Sequence, residues 1–98
     1  MFRHVVLFRF RDDAPAAAID AALAEVRGLA DVVPTVRALE VRTDAGEAGD
    51  THDAAVLVTF DDAAGYRTYR DHPAHVRVGA EHLKPLASDR AAIQFDVS

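Results

Sequence analysis

The segment Tyr69-Arg70-Asp71-His72-Pro73-Ala74-His75 gathers one phenol and two imidazoles around a proline. Imidazole exchanges protons near neutral pH, and a phenol or a second imidazole can hold a developing negative oxygen. The segment therefore carries the groups for proton transfer. A further imidazole, His4, is the only ionisable residue in the alternating set Phe2, His4, Val6, Phe8 and Phe10. A polar ring among aromatics needs a hydrogen-bond partner, and Tyr69 and His75 are the expected ones. The same residues also suit a structural reading, in which a tyrosine and histidine beside a proline cap or pack a helix and His4 is a satisfied core histidine.

These groups must be carried by regular elements. Residues 2–11 alternate and predict a strand, with Arg3, Val5, Leu7, Arg9 and Arg11 on the face away from His4. Asp13 and Pro15 suit the start of a helix over about 14–30, whose stripe is Ile19, Ala22, Leu23, Val26, Leu29 and Ala30. Residues 37–43 and 53–60 read as strands separated by an acidic, glycine-containing loop. Asp61-Asp62 offers a cap for a short helix bearing Tyr66 and Tyr69. Pro73 ends that helix or opens the next, over 74–84, where His75 and His82 share a side. Ala91, Ile93, Phe95 and Val97 alternate as a last strand. The order β-α-β-β-α-β is that of an α+β, ferredoxin-like domain covering residues 1–98. Helices on one side of the sheet leave the other bare, and Val5, Leu7, Leu39, Val41, Ala55, Leu57 and Ala92 are expected there. Pairing sheet to sheet in a symmetric homodimer would cover them.

Composition narrows the function. Half of the 98 residues are hydrophobic, enough for one core. The formal charge of −5 and arginines scattered along the chain disfavour nucleic acid, which needs concentrated positive potential. With no cysteine, disulfide and thiolate chemistry are excluded. The opening Met-Phe-Arg-His lacks the order of a signal peptide, and no apolar run is long enough to span a membrane, so a cytoplasmic protein is expected. His72 and His75 lack a marked third ligand for zinc, and the acidic pairs precede helices, where capping explains them better than magnesium. No phosphate loop or dinucleotide fingerprint occurs, so no metal and no cofactor is expected.

The stretches Arg-His-Val-Val-Leu-Phe-Arg-Phe at 3–10, Asp53 through Phe60, Tyr69 to His75 and the closing Ile93-Gln94-Phe95-Asp96 together resemble the stress-responsive A/B barrel domain family. This family, also called Dabb or dimeric α/β barrel, includes the plant enzyme olivetolic acid cyclase. The resemblance covers roughly residues 1–97 and implies a dimer whose sheets pack face to face. It also implies that His4 lines a pocket and that Tyr69 and His75 match the cyclase's catalytic tyrosine and histidine. Ala54 stands where that enzyme has another pocket histidine, and His52 lies two residues earlier. The expected site is a sheet–helix pocket for a small aromatic or polyketide-like molecule, walled by Phe2, Val6, Phe8, Ala54, Tyr66 and Tyr69, with His4 and His75 as polar features and His82 at the edge. Two functions follow from the resemblance: non-enzymatic binding in a stress-associated role, or a cofactor-independent aldol cyclisation with His75 as base and Tyr69 as donor.

Overall fold

The computed structural model describes residues 1–97. In chain order the elements are β1 Phe2–Phe10, α1 Ala16–Val32, β2 Ala38–Thr43, β3 Ala54–Phe60, α2 Ala63–Asp71, α3 Pro73–Val78 and β4 Ala87–Asp96, with a π-helical turn, Gly79–Leu83, continuing α3. The strands form one antiparallel sheet in the order β2-β3-β1-β4, which is the ferredoxin-like arrangement.

The central strand β1 shows why the sheet has two different faces. His4, Val6, Phe8 and Phe10 are buried beneath the helices, whereas Arg3 and Leu7 are exposed on the other side. Directly paired residues of an antiparallel ladder share a face. Pairing of Val6 with Val56 and of Phe8 with Ala54 therefore continues the covered face onto β3. Val58 and Phe60 on that face are wholly buried, each worth about 1.5–3 kcal/mol of apolar burial. From above, α1 contributes Ala22, Leu23, Val26 and Leu29, the spacing of a single helical stripe.

The bare face differs from the expected one at three positions. Leu39 pairs with Val58, Val41 with Val56 and Ala92 with Val6, so all three lie on the covered side. Val41 is part of the core and Leu39 packs against it. The open face instead carries Val5 opposite Leu57 and Ile93, Leu7 opposite Ala55 and Ala91, and Phe95 opposite Arg3. Ile93 is 62% exposed and Phe95 41%, so these large apolar groups form a patch without cover.

Three boundaries also moved. Asp13 does not cap α1: Pro15 occupies the N-cap with no side-chain bond, and the Asp13 carboxylate pairs with Arg11. The helix extends to Val32 and stops because Val33, before Pro34, is held extended at φ −95° and ψ 111°. Asp62 does cap α2, accepting from the Gly65 amide at 2.9 Å. Gly65 lets that helix sit close to the sheet, since a Cβ there would meet the Phe60 Cβ at 3.3 Å. Finally, β4 begins at Ala87 rather than near residue 91. Its register shifts beside Arg9 and Phe10, an irregularity that sets Ser88 and Asp89 at the end of the sheet next to the site.

Candidate functional site

A cavity of about 480 Å³ lies between the covered face of the sheet and the α1, α3 and π-helical segments. Val6 and Phe8 from β1, Val26 and Leu29 from α1, Val56 from β3 and Val78 from α3 make its apolar walls. His4, Tyr69 and His75 line it together, and Lys84, Ser88, Asp89 and Arg90 stand at its mouth. A mostly apolar hollow with a few converging polar groups has the build of a small-molecule site.

The tautomers follow from the hydrogen bonds. His72 caps α3, its Nδ1 accepting from the Ala74 amide at 3.0 Å, with Pro73 in the first turn where its missing N–H costs nothing. This turn presents His75, whose Nδ1 lies 3.0 Å from the Arg70 carbonyl oxygen. A carbonyl only accepts, so Nδ1 carries the proton and Nε2 is left as a lone pair. Burial, opposed by that hydrogen bond and aided by the charges of Arg90 and His72, pushes the His75 pKa below the ordinary 6.5. Its ring packs 4.3 Å, centroid to centroid, from that of Tyr69.

At His4 the arrangement is the reverse. Gln94 Nε2 stands 3.0 Å from His4 Nδ1 and donates as well to the Tyr66 hydroxyl at 3.0 Å. The amide nitrogen only donates, so His4 Nδ1 accepts and Nε2 carries the proton. Burial, then the charges of Arg90 and His75, lowers the His4 pKa to about 4, leaving a neutral N–H donor at pH 7. Burial and the neighbouring Tyr66 raise the Tyr69 pKa to about 12, against the opposing charge of Arg90, so its hydroxyl keeps its proton. One acceptor nitrogen and two donors thus line one apolar space.

Four expected wall residues lie elsewhere. Phe2 and Tyr66 pack with tilted rings 5.6 Å apart and do not line the cavity. Tyr66 sits one turn before Tyr69, spreading over His4 at 4.9 Å and Phe60 at 6.0 Å instead of facing the hollow. Ala54, opposite Phe8, is buried on the covered face away from the cavity and borders a separate hollow of about 400 Å³ beside the 44–53 loop. His82 is not a wall residue because the wider i→i+5 turn at Gly79–Leu83 rotates it off the His75 side, leaving Gly79 and Leu83 there. His52 is held at 3.0 Å by Asp89 and lines the smaller hollow.

The expected partner of His4 is also corrected. Gln94, rather than Tyr69 or His75, satisfies it; Tyr69 approaches only edge-on at 6.3 Å. Gln94 and Arg90, with Lys84, Ser88 and Asp89 at the rim, are site residues that the sequence does not single out. The available signal was polar side chains alternating with Ala91, Ile93 and Phe95, whose inward orientation depends on the β1–β4 register. Among the described residues, no group of three or more histidines and carboxylates is placed to hold a metal, and no helix is long and apolar enough to cross a membrane.

Comparison with known proteins agrees with this architecture. The sequence model of the stress responsive A/B barrel domain matches residues 2–97. A dimeric ferredoxin-like protein of unknown function from Thermobifida fusca is 30% identical, with a TM-score of 0.89 over 98% of this chain and 90% of its own. A dimeric ferredoxin-like protein from Bacteroides fragilis is 26% identical, with a TM-score of 0.82 over 98% and 95% of the two chains. Hydroxynitrile lyase from Passiflora edulis, at 20% identity, shares the fold with a TM-score of 0.88 over 99% and 93%. Among curated proteins no sequence matches.

Proposed function

Because this chain belongs to the stress responsive A/B barrel domain family, with a donor–acceptor set in its cavity, we propose that it is a homodimeric, cofactor-independent acid–base enzyme acting on a small carbonyl compound. The observation that carries this reading is the His75 ring: Nδ1 is committed to the Arg70 carbonyl, so Nε2 is a base at neutral pH beside Tyr69. A β-dicarbonyl or polyketide-like substrate fits such a set. His75 Nε2 takes a proton from the carbon between two carbonyls, and the C–H electron pair moves into one carbonyl to form an enolate. The Tyr69 hydroxyl and the His4 Nε2–H donate to the enolate oxygen. The enolate carbon then attacks a second carbonyl of the same molecule, forming the carbon–carbon bond, and the His75 imidazolium returns its proton to the new alkoxide. Apolar walls exclude water and fold the chain.

The proposed dimer covers the open face, which suits Val5, Leu57, Ile93 and Phe95 at its centre. It leaves the cavity, on the other side of the sheet, accessible to solvent.

The test is a β-diketone or β-keto thioester probe, followed for α-proton exchange and for cyclised product. His75→Ala is expected to lower turnover by about 10²-fold or more while circular dichroism and molecular mass stay unchanged. Equal rates in both proteins, near the uncatalysed rate, would defeat the enzymatic reading and favour a non-catalytic ligand-binding protein.

A further inference from the structure

The mouth of the cavity holds a charge that the acid–base set does not use. Arg90 lies on β4 opposite Phe8, so its side chain is on the covered face, and it lines the same hollow as His4, Tyr69 and His75. Among the described residues, four of the ten arginines are held in ion pairs, none of them lining the cavity. Arg11 pairs with Asp13, Arg37 with Asp61, Arg42 with Glu40 and Arg70 with Asp71. Asp89, the carboxylate adjacent to Arg90 in sequence and, among the described residues, the only one lining the cavity, is instead held by His52 at 3.0 Å. Among the described residues, Arg90 has no carboxylate within ion-pair distance, and Lys84 adds a second cation to the same rim.

An unmatched guanidinium at the lip of an apolar cavity, in a chain of net charge −5, is the complement of an amphipathic anion. Guanidinium presents parallel N–H donors that match the two oxygens of a carboxylate. The walls of Val26, Leu29, Val56 and Phe8 match an aromatic or short alkyl body. The next inward residue along β4 is Ala92, too short to obstruct the path from Arg90 toward the Gln94–His4 pair.

We propose that the ligand of this cavity is an aromatic or medium-chain keto acid, bound with its carboxylate on Arg90 and its carbonyl-bearing body directed inward to Tyr69 and His75. The substrate class named here rests on the acid–base reading of the same site. Arg90 also tunes that site: its charge helps, after burial, to lower the His75 pKa. A bound carboxylate offsets that charge and raises the His75 pKa back toward its ordinary value, strengthening the base when substrate is present.

The experiment compares 4-phenylbutyrate with its neutral amide, by calorimetry at pH 7 and by chemical-shift changes at Val56 and Val78, in wild type, Arg90→Gln and Arg90→Lys. Wild type is expected to bind the acid about tenfold or more tightly than the amide. Arg90→Gln is expected to erase that preference without changing amide affinity, and Arg90→Lys to keep part of it. The His75 imidazole resonance is expected to titrate at higher pH with the acid bound than with the amide. No acid preference in wild type, a preference surviving in Arg90→Gln, or tighter binding of phenyl phosphate than of the carboxylate overturns the proposal while leaving a cavity that binds small molecules. A glutamine variant that no longer dimerises would assign Arg90 to assembly and overturn it too. If neither acid nor amide perturbs Val56 and Val78, the ligand-binding reading itself fails.

Discussion

The two faces of this sheet are both apolar, yet they place their polar groups in opposite ways. On the open face Val5, Leu57 and Ile93 form the centre, and Arg3, Arg9, Glu40 and Arg42 form the rim. On the covered face His4 lies buried, bonded to Gln94 at the exposed edge strand, and Arg90 lines a hollow beside them. A dry centre with a charged rim suits a surface to be closed by another surface. A polar side chain inside an apolar shell, such as His4, is costly to bury and tolerable only when satisfied. What separates the proposed assembly surface from the proposed reactive one is therefore the position of polarity.

The strongest way to break this contrast is to put a charge at the centre of the open face. Leu57→Asp would bury two carboxylates in the proposed symmetric dimer, one from each subunit, costing roughly 5 kcal/mol or more. Light scattering after size exclusion is expected to give the mass of a monomer, half that of wild type, with helical circular dichroism retained because Leu57 is only half-buried in one subunit. A variant that remains dimeric at micromolar concentration would remove the open face from the interface. On the covered face, Phe60→Ala is the matching probe. Phe60 is wholly buried against Tyr66 and Tyr69, and its truncation is expected to cost about 3–5 kcal/mol of folding stability in urea melts. Monomers and dimers should lose that stability alike, so a loss seen only in the dimer would contradict the division of labour between the faces.

How far this division can be read from sequence depends on the strand. In Phe2–Phe10 the alternation is long enough to separate His4 from Val5 without help. In β2 the alternation of Leu39 and Val41 against Glu40 is equally clear, but only pairing with Val58 and Val56 decides which set faces the helices. A period of two assigns partners to a common side without naming the side. For β4 the difficulty is greater: it is an edge strand on which almost every residue is exposed, those on the covered side included, and Ser88, Asp89 and Arg90 carry no apolar period. That is why the start of the strand, the His4–Gln94 bond and the cation at the cavity mouth were illegible. The Tyr69 and His75 pairing was legible because both groups lie within one short helical break around Pro73, where local geometry is sufficient to bring them together.

The finest test of the contrast is proton uptake by His4, the buried polar residue at the centre of the covered face. Its pKa is about 4 in the folded chain, lowered by burial and then by the charges of Arg90 and His75, and about 6.5 when unfolded. Above about pH 6.5 the ring is neutral in both states and titration costs the fold nothing. As the pH falls from about 6.5 to 4, the unfolded chain binds a proton that the folded chain refuses, so stability is lost with falling pH, by up to about 3 kcal/mol from this group. Below about pH 4 both states are protonated and the loss levels off. Urea melts at fixed protein concentration are expected to show a shallower decline for His4→Gln than for wild type across that window. The slope left in His4→Gln is expected to come partly from His75, whose pKa is lowered in the same direction. Two parallel pH profiles would mean that His4 takes up its proton as freely in the folded chain as in the unfolded one. In that case the covered face would not be holding a neutral donor at its centre, and the chemical distinction between the two faces would be lost.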